Sequence, residues 1–177
     1  LIFFHNRLKI IDLSDRANQP FVSKKTGNII IFNGEIYNFK KLKKFLKKRK
    51  LETSSDTEVI LNLYEKFGDN FVKKLNGIFS FVIYDKRKKI IYSARDRFGI
   101  KPLMLYHDRK RIAYSTEIKP IIKIINKKEI NLSNIKKYIS EGLLYDDNQT
   151  FFKNVNYQPA STYFKFSLNS FKFIKKE

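Results

Sequence analysis

Cysteine is absent from this sequence of 177 residues. Its absence excludes a disulfide framework and any thiolate metal site, and it is compatible with a reducing cytosol. No apolar run approaches the roughly 18 to 20 residues that a membrane-spanning helix needs. The sequence also lacks an internal repeat, a flexible linker and a signal peptide, since no charged segment or small-residue cleavage site marks its start. We therefore expect a cytoplasmic protein with no membrane partner.

Acidic residues are scarce. The chain has 17 Asp and Glu against 37 Lys and Arg, which gives a net charge of +20. A basic surface attracts phosphates, so a nucleic-acid-binding domain is one hypothesis. The lysines are spread along the chain and accompany no motif that reads DNA or RNA, so we expect no specific nucleic-acid partner. A hydrophobic content of 42% indicates one folded domain with a core of its own.

The most informative stretch of the chain has the sequence IIIFNGEIYN at residues 29–38. Its β-branched start predicts a buried strand that stops at Asn33-Gly34 and passes into a segment with helical spacing. An Asn-Gly pair alone is most often a plain turn. Three further motifs accompany it: RLKIIDLS at 7–14, SDTEVIL at 55–61 and RDRFGIKPL at 95–103.

Local patterns predict the other elements. One or two strands are expected within residues 1–13 and a helix from Phe39 to Leu46. Ser55 and Glu58 have capping-box spacing at the start of a second helix, which Gly68 ends. The remaining predicted elements are a short helix at 71–75, hairpins over 78–95 and 103–116, helices at 117–125 and 132–142, and a last strand at 171–174.

In this order and spacing, the four motifs resemble the N-terminal glutaminase domain of the class II (Ntn-type) glutamine amidotransferases, specifically that of asparagine synthetase. The resemblance runs from about His5 to about Phe166. It implies an α+β fold, a four-layer αββα sandwich, here without its N-terminal strand. It also implies an amidotransferase domain over residues 1–166 and, at 167–177, the start of a connection to a missing synthetase domain.

The resemblance assigns an oxyanion hole to the Asn33 side-chain amide and the Gly34 backbone N–H. Glycine allows this role because it lets the backbone approach a substrate without a Cβ in the way. Glu35 matches a residue that lines the pocket of the family, and so does the backbone from Leu8 to Ile10.

Two charged residues are implied to bind the two ends of glutamine. Arg7 matches the family arginine that holds the α-carboxylate, a role suited to a planar guanidinium. Asp56 matches the aspartate that pairs with the α-ammonium group. Each has a simpler interpretation, since Arg7 is also an ordinary exposed strand charge and Asp56 an acid favoured by the dipole in the first turn of a helix.

The nucleophile of the family is an N-terminal cysteine whose α-amino group acts as the base, and this sequence has no cysteine. We expect a truncation, because the stretch from Leu1 to Phe4 begins in the middle of a strand pattern. The alternative is a catalytically dead glutamine-binding module. No cofactor or metal is expected in this domain. The resemblance places ATP and Mg in the missing synthetase domain, which acts in cis on ammonia from glutamine.

The acceptor of that ammonia is aspartate if the chain is part of an asparagine synthetase. Amidotransferases of surface-polysaccharide pathways share these motifs, so another acceptor stays open. The state of assembly also stays open, with a homodimer as one option.

Overall fold

A computed structural model describes residues 1–47, 49–125, 128–142 and 148–177. These residues form an α+β structure of two antiparallel sheets with helices, which confirms the predicted fold class at this level. The strands are β1 (Phe21–Val22), β2 (Ile29–Ile36), β3 (Gly77–Asp85), β4 (Ile90–Arg95), β5 (Met104–His107), β6 (Ile112–Ser115), β7 (Val155–Tyr157), β8 (Tyr163–Ser167) and β9 (Lys172–Lys176). The α-helices are α1 (Phe39–Leu42), α2 (Asp56–Phe67), α3 (Ile118–Ile124) and α4 (Leu132–Glu141).

The larger sheet, sheet A, has the strand order β1-β2-β3-β4-β8-β9, and the smaller sheet B has the order β6-β5-β7. The hairpin β3–β4 forms the centre of sheet A, as its two apolar runs predict. The hairpin β5–β6 and the last strand β9 also form where the sequence predicts them. None of the helices in the described ranges is long and apolar enough to cross a membrane.

Three apolar clusters hold the elements together. Alternate side chains of β2 and β3 pack against α2, and the buried members of this cluster include Ile30, Phe32, Ile60, Phe81 and Ile83. The side chains on the other face of β2 and β3 belong to a second cluster, which lies between the sheets. Its members include Ile31, Val82, Ile91, Leu103 and Tyr114. The third cluster joins the other face of sheet B to α3 and contains Met104, Tyr106, Ile121, Ile125 and Val155.

Two predictions about strands are wrong. Residues 1–13 form no strand among the described residues. A strand exists only where a neighbour completes its hydrogen bonds, and the register of sheet A assigns these residues no partner strand. Conversely, β2 does not stop at Asn33. It runs on to Ile36, because β3 pairs with it along its whole length, from Ile29 opposite Tyr84 to Ile36 opposite Gly77.

The helix N-terminus at residue 55 is confirmed, but the predicted capping box does not form. The Ser55 side chain accepts a hydrogen bond from the Thr57 N–H and caps α2. The Glu58 carboxylate instead accepts from the backbone N–H groups of Glu52 and Thr53, at 2.9 Å and 2.7 Å. Glu58 therefore fastens the preceding loop to the helix rather than closing the first turn.

The other predicted helices form with small changes. The stretch 39–46 divides into α1 and a 3₁₀ turn over Lys43–Leu46, and a 3₁₀ helix over Gly68–Lys74 replaces the predicted helix at 71–75. Helices α3 and α4 agree with their predictions, and the Asn131 side chain caps α4 by accepting from the Asn134 N–H.

Candidate functional site

The outer edge of β2 collects most of the residues that the sequence singles out. In an antiparallel strand the N–H and C=O of one residue point to the same side, and the side alternates along the strand. The Phe32 N–H donates to the Gln19 side chain at 2.6 Å, and the Ile36 N–H donates to Asp56 at 3.1 Å. The even-numbered residues of β2 therefore direct their amides away from β3, to the outer edge of the sheet.

Gly34 lies between these two amides and faces the same edge. Its cross-strand partner Phe79 bonds to Asp96 on its far side, through both its N–H and its C=O, so β3 does not use the Gly34 amide. The neighbouring strand β1 pairs only with Ile29 and Ile30 and ends before this point. Within the described residues no side chain accepts from the Gly34 N–H, which leaves this donor available to a bound molecule.

The side chains of Asn33 and Glu35 extend from the face of β2 that Ile31 shares, the face toward sheet B. Both are half-buried. Neither side chain has a hydrogen-bond partner or an ion pair in the part of the chain that the structure describes. Asn33 and Gly34 thus carry unused donors on consecutive residues, an amide NH₂ on one face of β2 and a backbone N–H at its outer edge.

Asp56 occupies the first turn of α2 and is 4% exposed. Burial raises the pKa of the Asp56 carboxyl above its ordinary value, against the opposing effect of the hydrogen bond from the Ile36 N–H. An acid with a raised pKa is destabilised when it is ionised and gains from a cation placed beside it. The carboxylate therefore suits a cationic ligand group at the outer edge of β2.

Arg7 belongs to a loop that is tied to the same helix N-terminus. Its guanidinium donates to the carbonyls of Ile11 and Asp12, at 2.7 Å and 2.5 Å. The Asp12 carboxylate in turn accepts from the Ser54 N–H at 2.7 Å. Hydrogen bonds from the Ser14 hydroxyl and the Ser54 N–H hold the pKa of Asp12 well below its ordinary range.

The structure thus connects Arg7 to Asp56 through Asp12 and Ser54, but Arg7 is occupied by backbone carbonyls. The Leu8 and Ile10 side chains are 82% and 60% exposed, so only their backbone can line a pocket here. Sequence reasoning missed the bridging role of Asp12. The only available signal was its position in the RLKIIDLS motif, since its partner Ser54 is 42 residues away.

His5 and Gln19 lie at the same edge of β2, against Phe32, two residues before Gly34. The His5 Nε2 atom and the Gln19 side-chain NH₂ both lie within hydrogen-bond distance of the Phe32 carbonyl, at 3.0 Å and 3.1 Å. Burial lowers the pKa of His5, and the nearby charge of Arg7 lowers it further. The lowered pKa favours the neutral form of the imidazole, whose contact at Phe32 is one residue from Asn33 and two from Gly34.

This arrangement can stabilise negative charge on an oxygen and attract a cationic group. Two free N–H donors suit a developing oxyanion, and the buried Asp56 carboxylate suits an ammonium group, while the Arg7 guanidinium is engaged by backbone carbonyls. Across the described ranges, no group of three or more His, Asp or Glu residues could hold a metal ion.

Comparisons with known proteins show the family to which the chain is similar. A family model described as "Glutamine amidotransferase domain" matches residues 1–176. The chain is 40% identical over 157 residues to the putative asparagine synthetase (glutamine-hydrolyzing) 2 of Methanocaldococcus jannaschii, which covers 79% of this chain and 30% of that protein. It is 36% identical over 174 residues to the asparagine synthetase (glutamine-hydrolyzing) 2 of Bacillus subtilis, covering 95% of this chain and 23% of that protein.

Solved structures share the fold. The glutamine phosphoribosylpyrophosphate amidotransferase of B. subtilis, complexed with ADP and GMP, matches 90% of this chain and 31% of its own, with a TM-score of 0.57 and 19% identity. A structure described as the allosteric regulatory enzyme of purine biosynthesis matches 92% of this chain and 31% of its own, with a TM-score of 0.61 and 19% identity. The chain spans less than a third of the length of these relatives.

Proposed function

The chain belongs to the class II glutamine amidotransferase domain family, and from this premise we propose that it is the glutaminase part of a glutamine-hydrolysing asparagine synthetase. The observation that carries the proposal is the pair of free donors on consecutive residues, the Asn33 side-chain amide and the Gly34 N–H, two residues before the Ile36 amide that donates to Asp56. In the proposed role, Arg7 binds the α-carboxylate of glutamine and Asp56 binds its α-ammonium group. Glu35 and the backbone from Leu8 to Ile10 line the pocket.

The proposed chemistry is the release of ammonia from the side-chain amide of glutamine. A thiol adds to the amide carbon, and the carbonyl oxygen becomes an oxyanion that accepts hydrogen bonds from Asn33 and Gly34. The C–N bond then breaks and the nitrogen leaves as ammonia after taking up a proton, which leaves a thioester. Water hydrolyses the thioester to glutamate and regenerates the thiol. In our proposal the thiol is an N-terminal cysteine outside these 177 residues.

The full architecture we propose is the four-layer αββα sandwich. Its support is the succession of three apolar clusters, which join α2 to sheet A, sheet A to sheet B, and sheet B to α3. We also propose an amidotransferase domain over 1–166 and a connection that begins at 167–177. Strand β9 lies in that latter stretch and pairs with β8 in sheet A.

The proposed partners follow from the asparagine synthetase relatives. Ammonia from this domain would amidate aspartate in a synthetase domain acting in cis, which would use ATP and Mg, while this domain itself would need no cofactor. We propose a cytoplasmic location, no membrane partner, no specific nucleic acid and a homodimer as one state of assembly. An amidotransferase with a different acceptor has the same glutaminase site, so the acceptor is tested separately, by supplying aspartate.

A second candidate is a glutamine-binding module without catalysis. The observation in its favour is the absence of cysteine from the 177 residues. Both candidates require the Arg7 and Asp56 contacts with glutamine, and they differ only in turnover.

We expect residues 1–177 to bind glutamine without hydrolysing it, because no residue of the chain can supply the thiol. The gene-encoded enzyme, or a variant extended to an N-terminal cysteine, should release ammonia from glutamine. Calorimetry measures the binding, and a coupled glutamate assay measures turnover in both proteins. Turnover by residues 1–177 above the protein-free rate contradicts the assigned site, and an inactive cysteine-bearing protein that still binds glutamine favours the second candidate.

Asp56→Asn should weaken glutamine binding and should make the stability of the domain less dependent on pH. The raised pKa of Asp56 means that the folded state binds the proton more tightly than the unfolded chain. This contribution to stability is fully present below the pKa of the unfolded chain and is lost as the pH rises through the higher pKa of the folded state. The neutral asparagine side chain avoids this loss of stability at higher pH. It also removes the charge that, in our proposal, pairs with the ammonium group of glutamine.

The matched variant is Arg7→Lys, which keeps a positive charge but loses the planar contact with a carboxylate. Both variants should raise the KM for glutamine at least about tenfold, with a smaller effect on kcat. Arg7→Lys should also lower the melting temperature, because it breaks the bonds to Ile11 and Asp12. An unchanged KM in either variant refutes the assigned contact.

A further inference from the structure

Asp96, the residue after β4, concentrates an unusual number of backbone hydrogen bonds on one buried carboxylate. The side chain is 1% exposed. Its Oδ1 accepts from the N–H groups of Phe98 and Ile100, each at 3.0 Å. Its Oδ2 accepts from the Lys101 N–H at 3.0 Å and from the Phe79 N–H at 3.2 Å. Three of these bonds shape the loop that follows, and the fourth reaches across to β3.

The bond to Phe79 is part of a two-way contact. The Phe79 C=O also accepts from the backbone N–H of Asp96, at 2.8 Å. Both polar backbone groups of Phe79 are therefore committed to Asp96, on the side of β3 away from β2. Because Phe79 is the cross-strand partner of Gly34, Asp96 fixes the part of β3 that lies directly opposite the Gly34 peptide.

Gly34 has no side chain, so its backbone lies directly against β3, the strand to which Asp96 is hydrogen-bonded. Gly34 has a φ of +142°, and a Cβ at this position would lie 2.0 Å from the Ile78 carbonyl oxygen and 2.7 Å from the Phe79 Cα. The two backbones thus touch directly at this register. A displacement of Phe79 moves the Gly34 peptide with it, since nothing flexible lies between them to absorb the change.

We infer that Asp96 is a positioning residue for the proposed oxyanion hole: by fixing both backbone groups of Phe79, it holds β3 against the Gly34 peptide and so keeps the Gly34 N–H in position on the opposite edge of β2. The inference rests on the proposed glutaminase function. Asp96 touches no substrate, and it acts only through the Phe79–Gly34 contact. Hydrogen bonds from four N–H groups lower the pKa of Asp96, although burial alone would raise it, so the carboxylate stays ionised as an acceptor.

The test compares Asp96→Asn with Asp85→Asn in the full-length protein that carries an N-terminal cysteine. The asparagine in Asp96→Asn would present an NH₂ group to two N–H donors, so the contact with Phe79 or with the loop is lost. Asp85 is a matched control because it is also buried and also accepts a backbone N–H, that of Lys88 at 2.9 Å. It lies at the other end of β3, opposite Ile90.

We expect Asp96→Asn to lower kcat at least about tenfold with a KM for glutamine within about twofold of the parent, since misplacing a catalytic group affects the chemical step. Amide exchange at Phe79 should accelerate, and the Gly34 N–H resonance should shift. Asp85→Asn should change none of these and should lower the melting temperature comparably. If Asp96→Asn does not fold, Asp96→Glu, which keeps the charge and displaces the oxygens, should show the same fall in kcat.

A normal kcat in Asp96→Asn or Asp96→Glu overturns the inference, and so does an equal fall in kcat for Asp85→Asn at the same loss of stability. A parent protein without glutaminase activity overturns the proposed function itself. The two failures are distinguishable because the second is visible before any variant is made.

Discussion

In the enzyme with an N-terminal cysteine, Asn33→Ala is expected to lower kcat by about 10² to 10³ and to change the KM for glutamine little. Removing one donor from an oxyanion hole typically has an effect of this size, roughly 3 to 4 kcal/mol. The bond strengthens as the carbonyl oxygen gains charge, so its loss falls on the transition state more than on substrate binding. The free, half-buried side chain of Asn33 has no structural partner to lose among the described residues.

A purely structural Asn33 makes the opposite prediction. The variant would then lose stability of about 1 kcal/mol and keep near-normal turnover in the folded fraction. Asn33→Asp extends the comparison, because it replaces a donor by a negative charge facing the oxyanion and should be as harmful as alanine or worse. Measuring kcat and melting temperature on one preparation separates the cases, and a destabilised but fully active Asn33→Ala enzyme would remove Asn33 from the oxyanion hole.

Gly34→Ala is expected to destabilise the fold severely, by more than about 4 kcal/mol, which lies at the exceptional end for a single substitution. The new methyl group would meet the Ile78 carbonyl oxygen at 2.0 Å, and the neighbouring strand backbone cannot move aside without breaking the pairing of β2 with β3. The φ of +142° adds strain for any residue other than glycine. For a domain of this size the melting temperature should fall by roughly 10 °C or more.

Gly142→Ala is the matched control. Gly142 also has a positive φ, +69°, at the end of α4, but a Cβ added there would meet no atom within 4 Å among the described residues. Its substitution should therefore cost only the left-handed strain, about 1 to 2 kcal/mol. Thermal melts of both variants are measured in the 177-residue chain. Gly142→Ala reports backbone strain alone, and Gly34→Ala reports strain together with the steric clash against β3. Similar melting temperatures for the two would show that the close approach of β2 and β3 is not rigid.

Local patterns in the sequence were sufficient for much of the fold. Each of the two hairpins combines apolar runs with a polar turn, and α2 has a serine cap, a helical apolar face and a terminal glycine, so short-range preferences and tertiary contacts agree there. The motifs also identified Asn33, Gly34 and Asp56 as candidates before any geometry was known.

Long-range pairing decided the rest. The sequence alone indicated that the strand ends at Asn33, but its continuation to Ile36 depends on β3, about 40 residues away along the chain. Hydrogen bonds between distant segments set which amide of β2 is free, how Asp12 joins Arg7 to the start of α2, and how Asp96 contacts Phe79. The sequence determined which chemical groups this domain carries, and the tertiary structure decided which of them remain unbonded, because a donor is available only where no neighbouring strand or side chain has taken it.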